Sequence, residues 1–154
     1  MGSLASLDWL NRFLDETPGD RVIGGEPRQV PGVCWSKVSP TKPTNPSLRL
    51  WSPEMANTLG IERGSAETLG GGSIVKGMQP YAQRYGGHQF GNWAHQLGDG
   101  RAITLGEVKL ANEVLELQLK GAGKTPYSRF ADGKAVLRSL SLIHISEPTR
   151  RVFI

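Results

Sequence analysis

Several features that define common classes of protein are scarce or missing in this sequence. It has one cysteine, Cys34, so no internal disulfide can form, which fits a reducing compartment. Beside Trp35, this cysteine is expected to be a small buried residue. No apolar run approaches the roughly 20 residues of a membrane-spanning helix, so no membrane span is expected. The net charge of +4 is mild and not clustered, so the sequence does not indicate a nucleic-acid partner.

Two familiar site motifs are also incomplete. His88 and His95 have no cysteine near them, whereas a structural metal site needs about four ligands in a defined geometry. Gly98-Asp99-Gly100-Arg101 is too short to give the G-x-G-x-x-G pattern of many nucleotide-binding loops. Neither feature by itself therefore predicts a metal site or a dinucleotide site.

Glycine, by contrast, is abundant, and the run from Tyr81 to Arg101 is especially rich in it. With 20 glycines and 10 prolines among 154 residues, much of the chain is expected to be loop. Glycine lets backbone N–H groups approach a ligand closely, and successive exposed N–H groups form a concave site for anions such as phosphates. We expect Phe90 and Trp93 within this run to be buried against a sheet. The glycines of the run are Gly86, Gly87, Gly91, Gly98 and Gly100.

Two strands are predicted directly after this run. Ala102–Val108 and Val114–Lys120 are joined by a five-residue turn, and Leu115, Leu117 and Leu119 alternate with polar residues to give one apolar face. A glycine-rich loop, a strand, a turn and a strand ending in a lysine are the layout of the nucleotide site in a kinase-like N-terminal lobe. The plainer alternative is an ordinary loop followed by a lysine that faces water.

A second nucleotide motif competes with this interpretation. Gly121-Ala122-Gly123-Lys124-Thr125 resembles the end of a P-loop, G-x-x-x-x-G-K-[ST], and follows a predicted strand as that motif requires. The position of the first glycine, however, is Gln118, which lies within the alternating strand. The P-loop-like module therefore stays an alternative.

The other predicted elements are short. A helix is expected over Ser6–Asp15, and another begins at Ser52-Pro53, has Met55 and Leu59 on its apolar face and ends at Gly60. Strands are expected within Gly32–Ser39 and near Leu48–Trp51, and Leu69–Ser73 reads as a flexible connection.

Three segments closely resemble the selenoprotein O family, over roughly residues 8 to 139. They are PRQVPGVCWSKVSPT, YAQRYGGHQFGNWAHQLGDGRA and LQLKGAGKTPYSRFADGKAVLRS. The resemblance implies an α+β, protein-kinase-like fold, of which this chain would hold an incomplete N-terminal lobe of mainly antiparallel strands with short helices, without the C-terminal lobe. It also implies a Mg²⁺-dependent pseudokinase that binds ATP in a flipped orientation and transfers AMP to Ser, Thr or Tyr hydroxyls of protein substrates.

The resemblance also carries over a set of ATP-contacting positions. Lys120 and Arg101 would balance phosphate charge, and the loop glycines would let N–H groups reach the phosphates. Asp132-Gly133 would hold the nucleotide in its flipped orientation. The catalytic base and the Asn and Asp that hold Mg²⁺ are not found in this chain, so it is expected to be inactive alone. The competing class is a stand-alone nucleotide-binding or interaction module. The implied nucleotide-binding residues are Gly98, Gly100, Arg101, Lys120, Asp132 and Gly133.

The end of the sequence departs from the family pattern. Lys134–Arg138 is expected to begin the equivalent of the kinase αC helix, which would supply a glutamate to pair with Lys120. After Ser139 the chain instead reads LSLIHISEPTRRVFI, and its back-translation resembles a transposase-type sequencing adapter. Residues 1–139 are therefore expected to be the family domain and residues 140–154 a non-native tail, whose removal should leave stability and ATP affinity unchanged.

The compartment is left open by the start of the sequence. Organellar members of the resembled family carry a presequence rich in arginine and poor in acids, whereas Asp8, Asp15 and Glu16 come early here. A cytoplasmic location and an organellar one, in a mitochondrion or plastid, both remain compatible with the chain.

Overall fold

The computed structural model describes residues 2–144, and the side chains of residues 2–140. Within that range the fold is a mixed α and β structure with more strand than helix. The last part of the predicted non-native tail, residues 145–154, lies outside the described residues. A 3₁₀ helix covers Leu4–Ser6, and the α helices are α1 (Arg12–Glu16), α2 (Pro53–Leu59) and α3 (Ala66–Leu69). The strands are β1 (Asp8–Leu10), β2 (Gly19–Asp20), β3 (Trp35–Lys37), β4 (Tyr81–Gln89), β5 (Asn92–Gly98), β6 (Ala102–Lys109), β7 (Val114–Ala122) and β8 (Lys134–His144).

The described strands form one sheet in the order β2-β3-β4-β6-β7-β8. Outside this order, β1 pairs with β6 and β5 pairs with β4. The β2–β3 pair is parallel and the other pairs are antiparallel. The mainly antiparallel sheet with short helices that the sequence predicts is therefore present in the described residues.

The predicted hairpin of β6 and β7 is present, and it lies between β4 and β8 in the strand order. Leu115, Leu117 and Leu119 are each at most 2% exposed, and they share one core cluster with Ile103 and Leu105 of β6. Two residues of α2, Ala56 and Leu59, pack into the same cluster. Because β-strand side chains alternate between faces, the alternating leucines direct one whole face of β7 into this core.

The opposite face of the hairpin is buried as well, which the alternating pattern does not predict. Glu116 is 7% exposed and Gln118 is fully buried. On this side lies a second cluster in which Phe13 of α1 stacks on Tyr81, with ring centroids 5.6 Å apart. Cys34 packs half-buried against the same cluster. The polar residues of β7 are therefore internal and must satisfy one another.

Helix α2 is confirmed together with both of its predicted ends. The Ser52 hydroxyl accepts a hydrogen bond from the Met55 N–H at 3.2 Å, and Pro53 occupies the first helical position. Gly60 ends the helix with φ +67°, a left-handed conformation that glycine adopts without strain. Met55, predicted on the apolar face, is 42% exposed, and Ala56 takes its place in the core.

The predicted helix over Ser6–Asp15 is wrong except for its last part. Asp8–Leu10 forms β1 instead, because it pairs with Glu107–Lys109 of β6. Trp9 fixes the turn before it by donating its indole N–H to the Leu4 carbonyl at 2.9 Å. Tertiary pairing thus overrides the local helical spacing. The strand expected within residues 32–39 is reduced to β3, and no strand forms at residues 48–51.

The predicted helix beginning at Lys134 is also wrong, because this segment forms strand β8. Residues on both sides of Ser139 pair with β7: Ser139 lies opposite Lys120, and Leu140 lies opposite Leu119. Val136 and Leu137 are largely exposed, and they do not form the buried apolar face that a packed helix would have. The predicted junction of the family domain and the tail therefore falls inside one continuous strand. Among the described residues, no helix is long and apolar enough to cross a membrane.

Candidate nucleotide-binding site

The glycine-rich run that was predicted to be a loop is a β-hairpin. Strands β4 and β5 pair from Arg84 opposite Gly98 to Gln89 opposite Asn92, with an irregularity near Gly86. The two residues of the turn, Phe90 and Gly91, both have positive φ angles, as in a type I′ turn. Gly86 gives room for an aromatic ring, because a Cβ there would lie 2.5 Å from the Trp93 side chain.

Phe90 and Trp93 are exposed, contrary to the prediction that they are buried against the sheet. Phe90 is fully exposed at the tip of the hairpin, and Trp93 is 53% exposed. Trp93 contacts His88 and His95 edge-on, with ring centroids 5.2 and 6.5 Å away. The two histidines therefore pack against the tryptophan ring. Within residues 2–140, no group of three or more His, Cys, Asp or Glu side chains could hold a metal ion.

The loop from Gly98 to Arg101 joins β5 to β6 and is packed closely against Tyr127. A Cβ on Gly98 would lie 2.4 Å from the Tyr127 ring, and one on Gly100 would lie 2.8 Å from the Tyr127 carbonyl oxygen. Both positions therefore need glycine for steric reasons. The phosphate-binding role of the glycine N–H groups stays a prediction. The Gly100 N–H donates to the Gly98 carbonyl, and the Asp99 N–H donates to the Gln83 carbonyl, each at 2.9 Å.

Arg101 and Lys120 are brought together at one end of the sheet. Lys120 pairs with Ala102 across the β6–β7 ladder, and the Gly121 N–H donates to the Arg101 carbonyl at 2.8 Å. Lys120 is half-buried and Arg101 is exposed. Neither side chain forms an ion pair or a hydrogen bond within the described part of the chain. The backbones of these two cationic residues are therefore close, and neither side chain has a counter-charge among the described residues, which suits an anionic ligand.

Asp132 and Gly133 lie at the same end of the sheet, just before β8. The Gly123 N–H donates to the Gly133 carbonyl at 3.2 Å, and the Asp132 carboxylate accepts from the Lys134 N–H at 2.9 Å. Gly133 has φ +70°, and a Cβ there would approach the Gly123 carbonyl oxygen to 1.9 Å. Since Ala122 pairs with Lys134, this turn lies next to the end of the strand that carries Lys120.

The P-loop-like segment does not have the geometry of a P-loop. Residues 123–133 form turns rather than the helix that a P-loop begins. Thr125 is fully buried, and its hydroxyl donates to the Asp99 carbonyl at 2.7 Å, so it is not directed at a ligand. Lys124 lies 3.7 Å from the carboxylate of Glu26. These contacts give the segment a structural role beneath the 98–101 loop.

A buried acidic network lies on the same face of β7 as Lys120. Glu116 accepts hydrogen bonds from Thr104 at 2.9 Å, from Gln83 at 3.1 Å and from Tyr81 at 3.4 Å. Burial raises the pKa of Glu116, and the nearby charge of Asp99 raises it further. Burial also raises the pKa of Tyr81. Burial thus disfavours the charged form of this carboxyl, and among the described residues its partners are Thr104, Gln83 and Tyr81 rather than Lys120.

A cavity of about 490 Å³ opens beside Gly98, between the hairpin and the loop that contains Tyr127. Most of its polar side chains already have partners. Gln96 bonds to the backbone of Arg28 and Val30, and Arg129 donates to the Gln89 side chain at 3.1 Å. Arg28 itself is held by Asp20 at 2.6 Å. The cavity thus adjoins the candidate site without supplying free charges comparable to Arg101 and Lys120.

Residues 28–143 of the chain match the family described as Protein adenylyltransferase SelO. The chain belongs to the SelO family. It is similar to the protein nucleotidyltransferase YdiU of Nitrosospira multiformis, with 56% identity over 136 residues, covering 84% of this chain and 24% of that protein. It is also similar to the YdiU protein of Aromatoleum aromaticum, with 49% identity over 160 residues, covering 92% and 31%.

This SelO-family chain thus spans 24% and 31% of the length of these two relatives. The selenoprotein O family predicted from the three sequence segments is confirmed. The matched range ends at residue 143, four residues beyond the predicted junction at Ser139. The foreign origin of residues 140–154 stays a prediction.

Sequence reasoning missed the residues that support the site from beneath. Thr125, Tyr127 and Ser128 are not among the residues that the sequence predicts to bind nucleotide. The hydroxyl side chains of this segment do indicate a structural role, because hydroxyl groups within a buried turn must find hydrogen-bond partners. Which partners they find depends on the approach of β5 to this turn, and no local pattern encodes that approach.

Proposed function

We propose that this chain provides the nucleotide-binding part of a protein adenylyltransferase, which transfers AMP from ATP to Ser, Thr or Tyr hydroxyls of protein substrates. In that reaction the substrate hydroxyl oxygen bonds to the α-phosphorus, its proton passes to a base, and pyrophosphate leaves. The relatives are named protein nucleotidyltransferases, which supports transfer of a nucleotidyl group to a protein.

The observation that carries the proposal is the pair of cations at a glycine-framed end of the sheet. Arg101 immediately precedes β6, Lys120 lies on the adjacent strand β7, and neither has a counter-charge among the described side chains. A triphosphate would supply that counter-charge. Gly98, Gly100 and Gly133 keep the surrounding backbone compact, because a Cβ at any of them would strike neighbouring atoms.

The residues present fit ATP better than they fit a metal ion. Two cationic side chains suit the phosphates, and the half-buried position of Lys120 strengthens its electrostatic interaction with them. Mg²⁺ requires oxygen ligands, and residues 2–140 contain no carboxylate group arranged to hold it. We therefore assign phosphate binding to this chain, and we propose that the Mg²⁺ ligands and the catalytic base lie in the remainder of the longer protein.

Because of that division, we propose that the 154-residue chain is inactive in AMP transfer by itself. The alternative of a P-loop-like module at residues 121–125 is less well supported, since Thr125 is buried and bonded to Asp99. Whether residues 140–154 belong to the natural protein would be answered by sequencing the parent gene beyond the codon for Ser139. A coding region that continues in the family pattern would support the proposal of a foreign tail.

The experiment that tests the function compares two lysines of similar chemistry. Lys120→Ala should weaken ATP binding by about tenfold or more, because a charge-assisted contact with phosphate contributes about 1.5–3 kcal/mol. Lys124→Ala is the matched control, since this lysine faces Glu26 rather than the site. Isothermal titration calorimetry with ATP gives the affinities of the parent chain, of Lys120→Ala and of Lys124→Ala.

Equal affinities in the parent chain and Lys120→Ala would refute the assignment of Lys120 to phosphate. A loss in Lys124→Ala as large as in Lys120→Ala would instead favour the P-loop alternative. In a full-length protein carrying the same substitution, Lys120→Ala should also abolish incorporation of labelled AMP into protein.

A further inference from the structure

Two buried hydroxyl groups hold the 98–101 loop from beneath. The Thr125 hydroxyl donates to the Asp99 carbonyl at 2.7 Å, and the Ser128 hydroxyl donates to the Gly100 carbonyl at 2.6 Å. We propose that Thr125 and Ser128 are positioning residues that fix the direction in which Arg101 leaves the loop toward phosphate. We call these two hydrogen bonds the latch. The positioning role rests on the proposed function, whereas the latch itself can be measured without nucleotide.

Each hydroxyl of this latch is oriented by its own segment. The Thr125 oxygen accepts a hydrogen bond from the Tyr127 N–H at 3.2 Å, and the Ser128 oxygen accepts from the Thr125 N–H at 2.8 Å. With the oxygen engaged as an acceptor from one side, its proton is directed to the loop carbonyl on the other side. The two hydroxyls thus act as bridges between two backbone segments, and a methyl group cannot replace them.

The rest of the loop is fixed just as completely. The Asp99 carboxylate accepts from the Gln83 N–H at 3.3 Å and from the Gln118 side chain at 3.4 Å. The N–H groups of Asp99 and Gly100 are bonded inside the protein, as described above. Since the carbonyls of these two residues are the groups that the latch engages, removing either hydroxyl frees the part of the backbone immediately before Arg101.

The latch also joins the two halves of the candidate site. Thr125 and Ser128 belong to the same turn segment as Asp132 and Gly133, whereas Arg101 follows the loop that they hold. Tyr127 is anchored in addition, because its hydroxyl lies 2.8 Å from that of Ser36 on β3. The spacing between the 98–101 loop and the 132–133 turn is therefore set by these hydroxyl contacts.

The test uses Thr125→Val, which keeps the shape of the side chain and removes only the hydroxyl. Amide hydrogen exchange of the 154-residue chain without nucleotide should become about five- to tenfold faster at Asp99 and Gly100, as expected for the loss of one hydrogen bond, and remain unchanged within β6 and β7. ATP binding should weaken by about the same factor. Thr125→Ser restores the hydroxyl and should return both quantities to the parent values.

Thr58→Val is the matched control, because the Thr58 hydroxyl also donates to a backbone carbonyl, that of Glu54, at 3.0 Å on the distant helix α2. It should change neither loop exchange nor ATP affinity. Should Thr125→Val fail to fold, Ser128→Ala tests the second bridge through the same two measurements.

The outcomes separate the latch from the proposed function. Unchanged exchange at Asp99 and Gly100 in Thr125→Val would refute the latch, whatever happens to ATP. Faster exchange with unchanged ATP affinity, in a protein whose ATP affinity falls in Lys120→Ala, would refute only the positioning role. A parent chain that does not bind ATP would refute the proposed function and the positioning role together, and the exchange data would still report on the latch.

Discussion

Replacing Gly133 by alanine tests how closely the end of β7 must pack against the turn before β8. At this position φ is +70°, and the new Cβ would lie 1.9 Å from the Gly123 carbonyl oxygen and 2.7 Å from the Lys124 nitrogen. Both contacts are with backbone atoms, so no side-chain rotation can relieve them. The hydrogen bond from Gly123 to the Gly133 carbonyl would have to lengthen or break.

Gly60 provides a control with almost the same backbone conformation. Its φ is +67°, and a Cβ there would meet no atom within 4 Å. Gly60→Ala therefore costs only the left-handed conformation, about 1–2 kcal/mol for an L-residue. Gly133→Ala adds the overpacking, which costs about 1–3 kcal/mol further, for a total of about 2–5 kcal/mol. In a domain of this size, each kcal/mol lowers Tm by about 2–4 °C.

Urea unfolding of the parent and the two variants measures these differences directly. We expect Gly133→Ala to lose about 1–3 kcal/mol more free energy of unfolding than Gly60→Ala. Equal losses in the two variants would show that the turn relaxes without cost and would refute the close packing described for residues 123 and 133. A change in the slope of free energy against urea would indicate a change in the unfolded state instead.

Three further predictions follow from the sheet. Burial and the charges of Asp99 and Glu107 raise the pKa of Glu116 above its ordinary 4.5, so its ionisation in the folded state costs stability as the pH rises through that raised pKa. The free energy of unfolding of Glu116→Gln should therefore rise relative to that of the parent as the pH is raised above about 4.5, whereas Glu62→Gln, which removes an exposed carboxylate, should show no such relative gain. Phe90→Asn should raise Tm by about 2–4 °C, because it relieves about 1 kcal/mol of left-handed strain at a fully exposed turn residue; an unchanged Tm would contradict the turn geometry. Deleting residues 140–154 should lower Tm, in contrast to the unchanged stability predicted from the sequence, because Leu140 pairs with Leu119 and the following residues continue that ladder; an unchanged Tm would favour the original prediction.

The central hairpin could be predicted from the sequence because its signal is local. Three leucines alternating along β7 specify both the strand and the face it buries, whatever lies on the other side. Helix α2 was predictable for the same reason, since the Ser52 cap and the Gly60 stop act within one turn of their own positions. The six site residues are implied by resemblance to the family, and their joint role in binding nucleotide stays a prediction.

What the sequence could not give depends on distant partners. The segment around Trp9 has helical spacing, yet it becomes a strand because β6 offers an unpaired edge beside it. The small size of Gly98 and Gly100 admits Tyr127, a contact that the local sequence does not indicate. Lys134–Arg138 has helix-forming residues, but pairing with β7 prevails over that preference.

The pairing of β1 with β6 has a consequence for how the chain is made. Trp9 lies opposite Val108, so the two partners are 99 positions apart in the chain. At a synthesis rate of about 5–20 residues per second, Trp9 leaves the ribosome about 5–20 s before the residue that it must pair with. Hairpins form within microseconds, so β6 and β7 can join as soon as both have emerged. Among the described strands, the first-made one therefore waits longest for its partner, and a nascent-chain chaperone would find the region around Trp9 accessible throughout that interval.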